Sequence, residues 1–177
     1  LLKLKSQGLL ETRRIYQDSK DYYVATWETV KFLRSKGCQY VPALPKRGSF
    51  FNCYEHDKRL INLRIFAQEL GLGLWIPERV IRSIKPHGAC PDAILYNFDA
   101  QYAIEYENTE KDTKRYLDIF NRYQVHEKYD AALYIFPKEK QLRRLLSKIP
   151  GATPKKIYFI SEEKLLVDKE NAVFESS

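Results

Sequence analysis

Apolar residues recur along the chain with two periods, and the switches between them mark out its elements. Leu1, Leu2 and Leu4 read as the end of a helix that Gly8 stops as a left-handed cap. Leu9-Leu10-Glu11 starts a strand, a polar basic stretch runs from Thr12 to Asp21, and Tyr22-Tyr23-Val24-Ala25 forms a second strand. Thr26 is placed to cap a helix running to Ser35 or Lys36 and ending at Gly37. Pro42, Pro45 and Gly48, around Lys46-Arg47, read as a linker. Asp57 then caps a helix with Leu63, Phe66, Ala67 and Leu70 at i, i+3, i+4 and i+7. Three strands are expected next: Leu72 to Ser83, Pro91 to Tyr96, and Gln101 to Glu107 after the turn Asn97-Phe98-Asp99-Ala100. Thr109, three residues before Asp112, opens a helix with Tyr116, Ile119, Phe120 and Tyr123 on one face. Ala131 to Phe136 is a short apolar run suited to a buried strand, Gln141 to Ile149 a basic helix, and Ile157 to Ile160 a last buried strand.

The order from Asp57 onward is α, β, β, β, α, β, α, β. Hairpins among the first strands make antiparallel pairs and the later crossovers make parallel ones, so an α/β layer with a mixed sheet is expected. Before it, helix, strand, basic loop, strand, helix matches the back half of a winged helix-turn-helix, or a plain hairpin between two helices. The organisation expected is therefore residues 1–37 as the C-terminal part of a winged-helix DNA-binding domain, 38–54 as a linker, and 55–177 as the α/β domain. The 177 residues fit one domain of roughly 150 with an appendage.

Composition adds exclusions. Hydrophobic residues at 44% and charged residues at 30% are globular values, and the longest apolar run is the six residues from Ala131, too short to cross a bilayer. Cys38, Cys53 and Cys90 are odd in number and widely spaced, which disfavours a disulfide framework or a zinc site and fits a reducing cytoplasm. The chain starts Leu1-Leu2-Lys3 and contains no Met, the pattern of a fragment. The net charge of +7 is unevenly spread: residues 1–50 carry +6, 51–137 carry −2, 138–156 carry +6 and 157–177 carry −3. Two basic blocks flank an acidic middle, an arrangement suited to holding DNA at the flanks while carboxylates act between them. Arg13, Arg14 and Lys20 in the first block, with Arg143, Arg144 and Lys148 in the second, are the expected DNA contacts.

The acidic middle holds Pro91-Asp92, then Glu105-Tyr106-Glu107, then Lys111. Alternation along a strand puts Glu105 and Glu107 on one face about 7 Å apart, and a tight turn brings Asp92 alongside. Clustered acids on a buried sheet repel each other unless a cation neutralises them, and oxygen ligands suit a hard ion, Mg²⁺ or Mn²⁺. An edge strand with both glutamates in water is the plainer alternative.

That element order, with an acid opening the second strand and paired acids closing the third, resembles the PD-(D/E)XK nuclease fold over about residues 57 to 137. Glu107 stands where that pattern carries a Lys, and Lys111 and Lys114 are available from the helix expected next. The stretch Ile104-Glu105-Tyr106-Glu107-Asn108-Thr109-Glu110-Lys111 through Arg115-Tyr116, with Pro91-Asp92 and His56-Asp57 before it, is similar to the MobC class of plasmid mobilisation relaxases and the replication-relaxation family. The resemblance implies a winged helix ahead of a nuclease-like core. It also implies metal-dependent nicking of one DNA strand at a plasmid origin of transfer in conjugation, with other relaxosome or coupling proteins as partners.

On the residues themselves, Asp92 and Glu105 would hold the metal. Glu107 would take a further coordination position or orient the attacking water. Lys111, expected one turn into the next helix, would stabilise charge on the phosphorane, and Arg115 would clamp a neighbouring phosphate. Glu78, expected in the strand before Asp92, is a possible extra ligand. His56, His87 and His126 are too dispersed for a His-hydrophobe-His relaxase, and no Gly-rich phosphate cradle appears. Tyr116 and Tyr123 fall on the apolar helix face and are expected in the core rather than as nucleophiles. The competing function is a non-catalytic winged-helix DNA-binding regulator or relaxosome accessory protein, to which the missing Lys after Glu105 points. A restriction or repair nuclease cutting both strands is a third.

Overall fold

In the computed structural model, described over residues 1–13, 22–38, 49–84, 90–125, 128–149 and 156–167, the chain divides into two units. One comprises residues 1–57 and 79–88, the other 58–78 and 89–177. The elements are α1 (Leu2–Ser6), β1 (Leu10–Arg13), β2 (Tyr22–Ala25), α2 (Trp27–Ser35), α3 (Ser49–Glu69), β3 (Leu74–Pro77), α4 (Glu78–Ile84), β4 (Ala93–Asn97), β5 (Ala100–Tyr106), α5 (Thr113–Val125), β6 (Ala131–Phe136), α6 (Glu139–Leu146), β7 (Ile157–Ser161) and α7 (Glu162–Val167).

In the first unit β1 and β2 pair antiparallel, Leu10 opposite Ala25 and Arg13 opposite Tyr22. Gly8 turns the chain out of α1 at φ +71°, a conformation that costs glycine nothing. Thr26 precedes α2 as expected, yet its hydroxyl donates back to the Gly8 carbonyl at 2.6 Å instead of capping the helix. The α3 helix begins at Ser49, so the end of the expected linker is helical and Asp57 lies inside a helix, not at its cap. The Asp57 carboxylate pairs with Arg79 at 2.6 Å. Residues 39–48, like Arg14 and Lys20, lie outside the described residues.

The second unit is a five-stranded mixed sheet in the order β3-β4-β5-β6-β7. The first three strands pair antiparallel and the last three parallel, the mixture the pattern predicts. The expected strand from Leu72 to Ser83 is corrected: it breaks after Pro77, and Glu78 opens α4. Pro cannot extend the strand's hydrogen bonding, and acid in a first turn suits a helix start. Glu78 is therefore a helical residue, its N–H bonded to the Asp92 carbonyl at 2.8 Å. Gly73 enters β3 at φ +123°, where any Cβ would sit 1.9 Å from the Tyr96 carbonyl oxygen.

Strand alternation gives the sheet two dissimilar faces. On one, Leu63, Phe66 and Ala67 of α3 pack on Trp75, Ala93, Leu95, Ile104, Tyr106, Ile135 and Ile160, with Leu165 of α7. The other carries rings from α5 and the sheet: Phe120 meets Tyr134 edge-on at 5.1 Å and Phe159 at 5.6 Å, and Tyr116 lies 5.9 Å from Phe120. Among the described residues no helix is long and apolar enough to cross a membrane, and neither Cys38 nor Cys90 is in a disulfide.

Candidate active site

Register assembles the candidate site. Ala93 pairs with Ile104, so the next position outward sets Asp92 against Glu105, and the Tyr106 N–H donates to Asp92 Oδ2 at 2.8 Å. On the far side of β5, Glu105 is in register with Tyr134 of β6. Glu107 lies one residue past β5, yet its N–H still reaches the Ile135 carbonyl at 2.9 Å, which carries the strand direction into the loop. Glu105 and Glu107 thus follow the sheet face that α5 covers, while Tyr106 between them faces α3.

Glu107 is 4% exposed, and its carboxylate takes the Lys111 ammonium. Lys111 does not lie in the helix as expected. It belongs to the loop before α5, because Asp112, not Thr109, is the cap: its Oδ1 accepts the Arg115 N–H at 2.8 Å. The loop lets Lys111 fold back onto the strand end. Its N–H also donates to the Tyr116 hydroxyl at 3.3 Å, and that hydroxyl in turn bonds Glu107. Arg115, in the first turn of α5, is exposed.

The tyrosine rings are buried, as expected, but their hydroxyls end on the acids. Tyr123 donates to Glu105 Oε1, and Tyr116 serves Glu107. Ring burial is legible from helical spacing, whereas where a phenol tip ends depends on strand register; that is the signal sequence reasoning missed. Burial, with the Asp92 charge next, pushes the Glu105 carboxyl up to about 8, against the bond from Tyr123 and the attraction of Lys111. Burial likewise raises Glu107 despite its bond to Lys111. Burial pushes the Tyr116 hydroxyl up to about 12, with the Glu107 charge adding to it. Tyr123 is driven higher still, first by burial and then by Glu105.

The arrangement suits a hard cation in a particular way. Among the described residues no three His, Cys, Asp or Glu side chains stand together as a ready metal-binding group. Asp92 and Glu105 are adjacent, while Glu107 is engaged by Lys111. Two carboxylates are a usual protein share for Mg²⁺, which keeps several waters and takes further oxygens from phosphates. The Tyr134 hydroxyl, buried on the same face with no hydrogen-bond partner among the described residues, marks a polar place for such a water. The donor set fits the ion.

Of the expected DNA contacts, Arg13 is bonded to Glu11 through Nε at 2.6 Å. Arg143 pairs with Glu139 at 2.9 Å, and Arg144 and Lys148 converge on Glu110 at 3.2 and 2.8 Å. Glu110 adjoins Lys111, so the basic helix α6 borders the loop that carries the lysine. Comparisons with protein-family models, characterised proteins and solved structures return no match to this chain.

Proposed function

We propose that this chain is a metal-dependent DNA-nicking endonuclease of relaxase type, acting at a plasmid origin of transfer to start mobilisation. In this reading the second unit is a PD-(D/E)XK-like core, and residues 1–37 are the end of a winged helix whose basic loop holds DNA. The observation that carries it is the meeting of Asp92 with Glu105 across β4 and β5, with the Lys111 ammonium folded onto Glu107 beside them. The antiparallel pair β4 and β5, with β5 joined to the parallel β6 through α5, supports the same reading.

Asp92 and Glu105 would hold Mg²⁺ or Mn²⁺, which when bound polarises the scissile phosphate and lowers the pKa of water. Asp92 is oriented by the Tyr106 N–H, and Glu105 by the Tyr123 hydroxyl. Glu107 fixes Lys111, the nearest cation for charge developing on the phosphate in the transition state. The acids need ion or proton to offset their repulsion, and α5 keeps bulk water off one side. Arg144 and Lys148 lie along the approach, where they would meet phosphates of the strand.

A supercoiled plasmid bearing a candidate origin, incubated with Mg²⁺ or Mn²⁺, is the test. Relaxed circles from the parent, lost in Asp92→Ala and Glu105→Ala and retained in Tyr116→Phe, are expected. DNA binding without nicking on any origin would instead favour the non-catalytic regulator or relaxosome accessory. Nicking that survives both acid variants and leaves protein on the DNA end would replace the mechanism with a covalent one.

A further inference from the structure

Among the described residues, Tyr134 is the one phenol whose hydroxyl is buried with no hydrogen-bond partner. The residue is 1% exposed. Its position in β6 is in register with Glu105 on one side and Phe159 on the other, so its side chain shares the face of the acids. Phe120 at 5.1 Å, Phe159 at 5.9 Å and Tyr123 at 6.4 Å surround the ring. Burial raises its pKa well above the ordinary phenol range, and the charges of Glu105, Glu107 and Asp92 add to that in turn. An ordinary phenol is neutral at neutral pH, and this one stands in register with Glu105.

A buried hydroxyl left unpaired costs stability, and a phenylalanine of the same shape would avoid the cost. Tyr116 and Tyr123, on the facing helix, each discharge that cost on a glutamate. Tyr134 does not. A neutral oxygen among carboxylates offers what they do not: it donates one proton and accepts another. A water attached to a divalent cation is a strong donor, and a neutral hydroxyl can accept from it.

We propose that the Tyr134 hydroxyl is a ligand group of this pocket, binding a water in the hydration shell of a divalent cation carried by Asp92 and Glu105. The inference rests on the proposed assignment of those two acids to a metal, and it adds a residue outside the acidic motif. Tyr134 is on this view a positioning residue, acting on the ion through its water.

The test uses the full chain without DNA, comparing the parent with Tyr134→Phe, and with Tyr102→Phe as an equal change on the opposite face. In EDTA, Tyr134→Phe should melt about 2–4 °C above the parent, because an unpaired hydroxyl has gone. In a calorimetric titration with Mn²⁺ its affinity should fall about tenfold, while Tyr102→Phe keeps the parent affinity. A higher melting temperature with unchanged Mn²⁺ affinity would overturn the proposal, leaving Tyr134 as an unsatisfied core residue. A lower melting temperature in EDTA would also overturn it, by showing a resident partner. Failure of the nuclease reading looks different: the parent binds Mn²⁺ with the Tyr134 dependence intact and nicks nothing. A parent that binds no Mn²⁺ ends both.

Discussion

The two faces of the five-stranded sheet are made by the same strands and solve burial in opposite ways. Toward α3, β5 sends Ile104 and Tyr106 into an apolar layer with Leu63, Phe66 and Ala67, where close packing supplies the stability. Toward α5 it sends Glu105, half-buried among phenols, where its carboxylate takes the Tyr123 hydroxyl. A buried polar tip on the α3 side is settled too: Tyr106 donates to Glu162 at 2.7 Å, and Arg59 lies 3.4 Å from that carboxylate. The α3 face holds the fold together, and the α5 face holds charge that costs the fold something. Such a cost is the usual mark of a site kept for binding or chemistry.

The sharpest way to break this contrast is to change each face and read both stability and activity. Asp92→Ala or Glu105→Ala should lower nicking by at least about a hundredfold, since a metal supplies several kcal/mol and each 1.36 kcal/mol is about tenfold. Stability should hold or rise, as seen in thermal melts. Phe66→Ala on the opposite face should do the reverse, costing about 3–5 kcal/mol in urea unfolding while the molecules that stay folded nick normally.

Next in size is pH. The folded-state pKa of Glu105, about 8, lies above that of an unfolded glutamate, so the folded chain binds more protons between about pH 4.5 and 8. Without metal, stability should therefore fall as pH rises through that window, by on the order of a few kcal/mol at most. Glu105→Gln should flatten the slope in urea titrations at pH 5 and 8. A variant with the parent's slope would place the proton elsewhere.

Smaller effects sharpen the picture at its edges. Tyr123→Phe removes one hydrogen bond from Glu105, about 1 kcal/mol, and should steepen the same pH dependence because the bond favours the ionised carboxylate. Glu110→Gln should leave the melting temperature where it is, because its partners Arg144 and Lys148 are surface pairs. It should modestly tighten DNA binding at low salt by releasing two cations, read by fluorescence anisotropy.

Much of the second unit was legible because its strands are short and strongly patterned. Ala131–Phe136 matches the apolar run residue for residue, and the hairpin at Asn97 to Ala100 sets the register that brings Asp92 to Glu105. Helix α4 is hidden because Trp75-Ile76 and Val80-Ile81 are both buried, so the run looks like one continuous strand. The place of Lys111 was hidden because Thr109 and Asp112 both suit a helix start, and only packing decides which is used. Tyr134 could not be singled out at all: periodicity reports that a ring is buried, never that its hydroxyl is left without a partner.

The join between β5 and β6 has a consequence for the order of assembly. Strands β3, β4 and β5 precede that join, and β4 and β5 meet across a two-residue turn, whereas 24 residues separate β5 from β6 and 20 separate β6 from β7. Local pairings close early and distant parallel ones late. A chain emerging from the ribosome can thus complete β4 and β5 with the acids still in water, and the aromatic cover arrives afterwards. Charge burial is deferred to the last steps of folding, which makes this half of the sheet the one that reopens first.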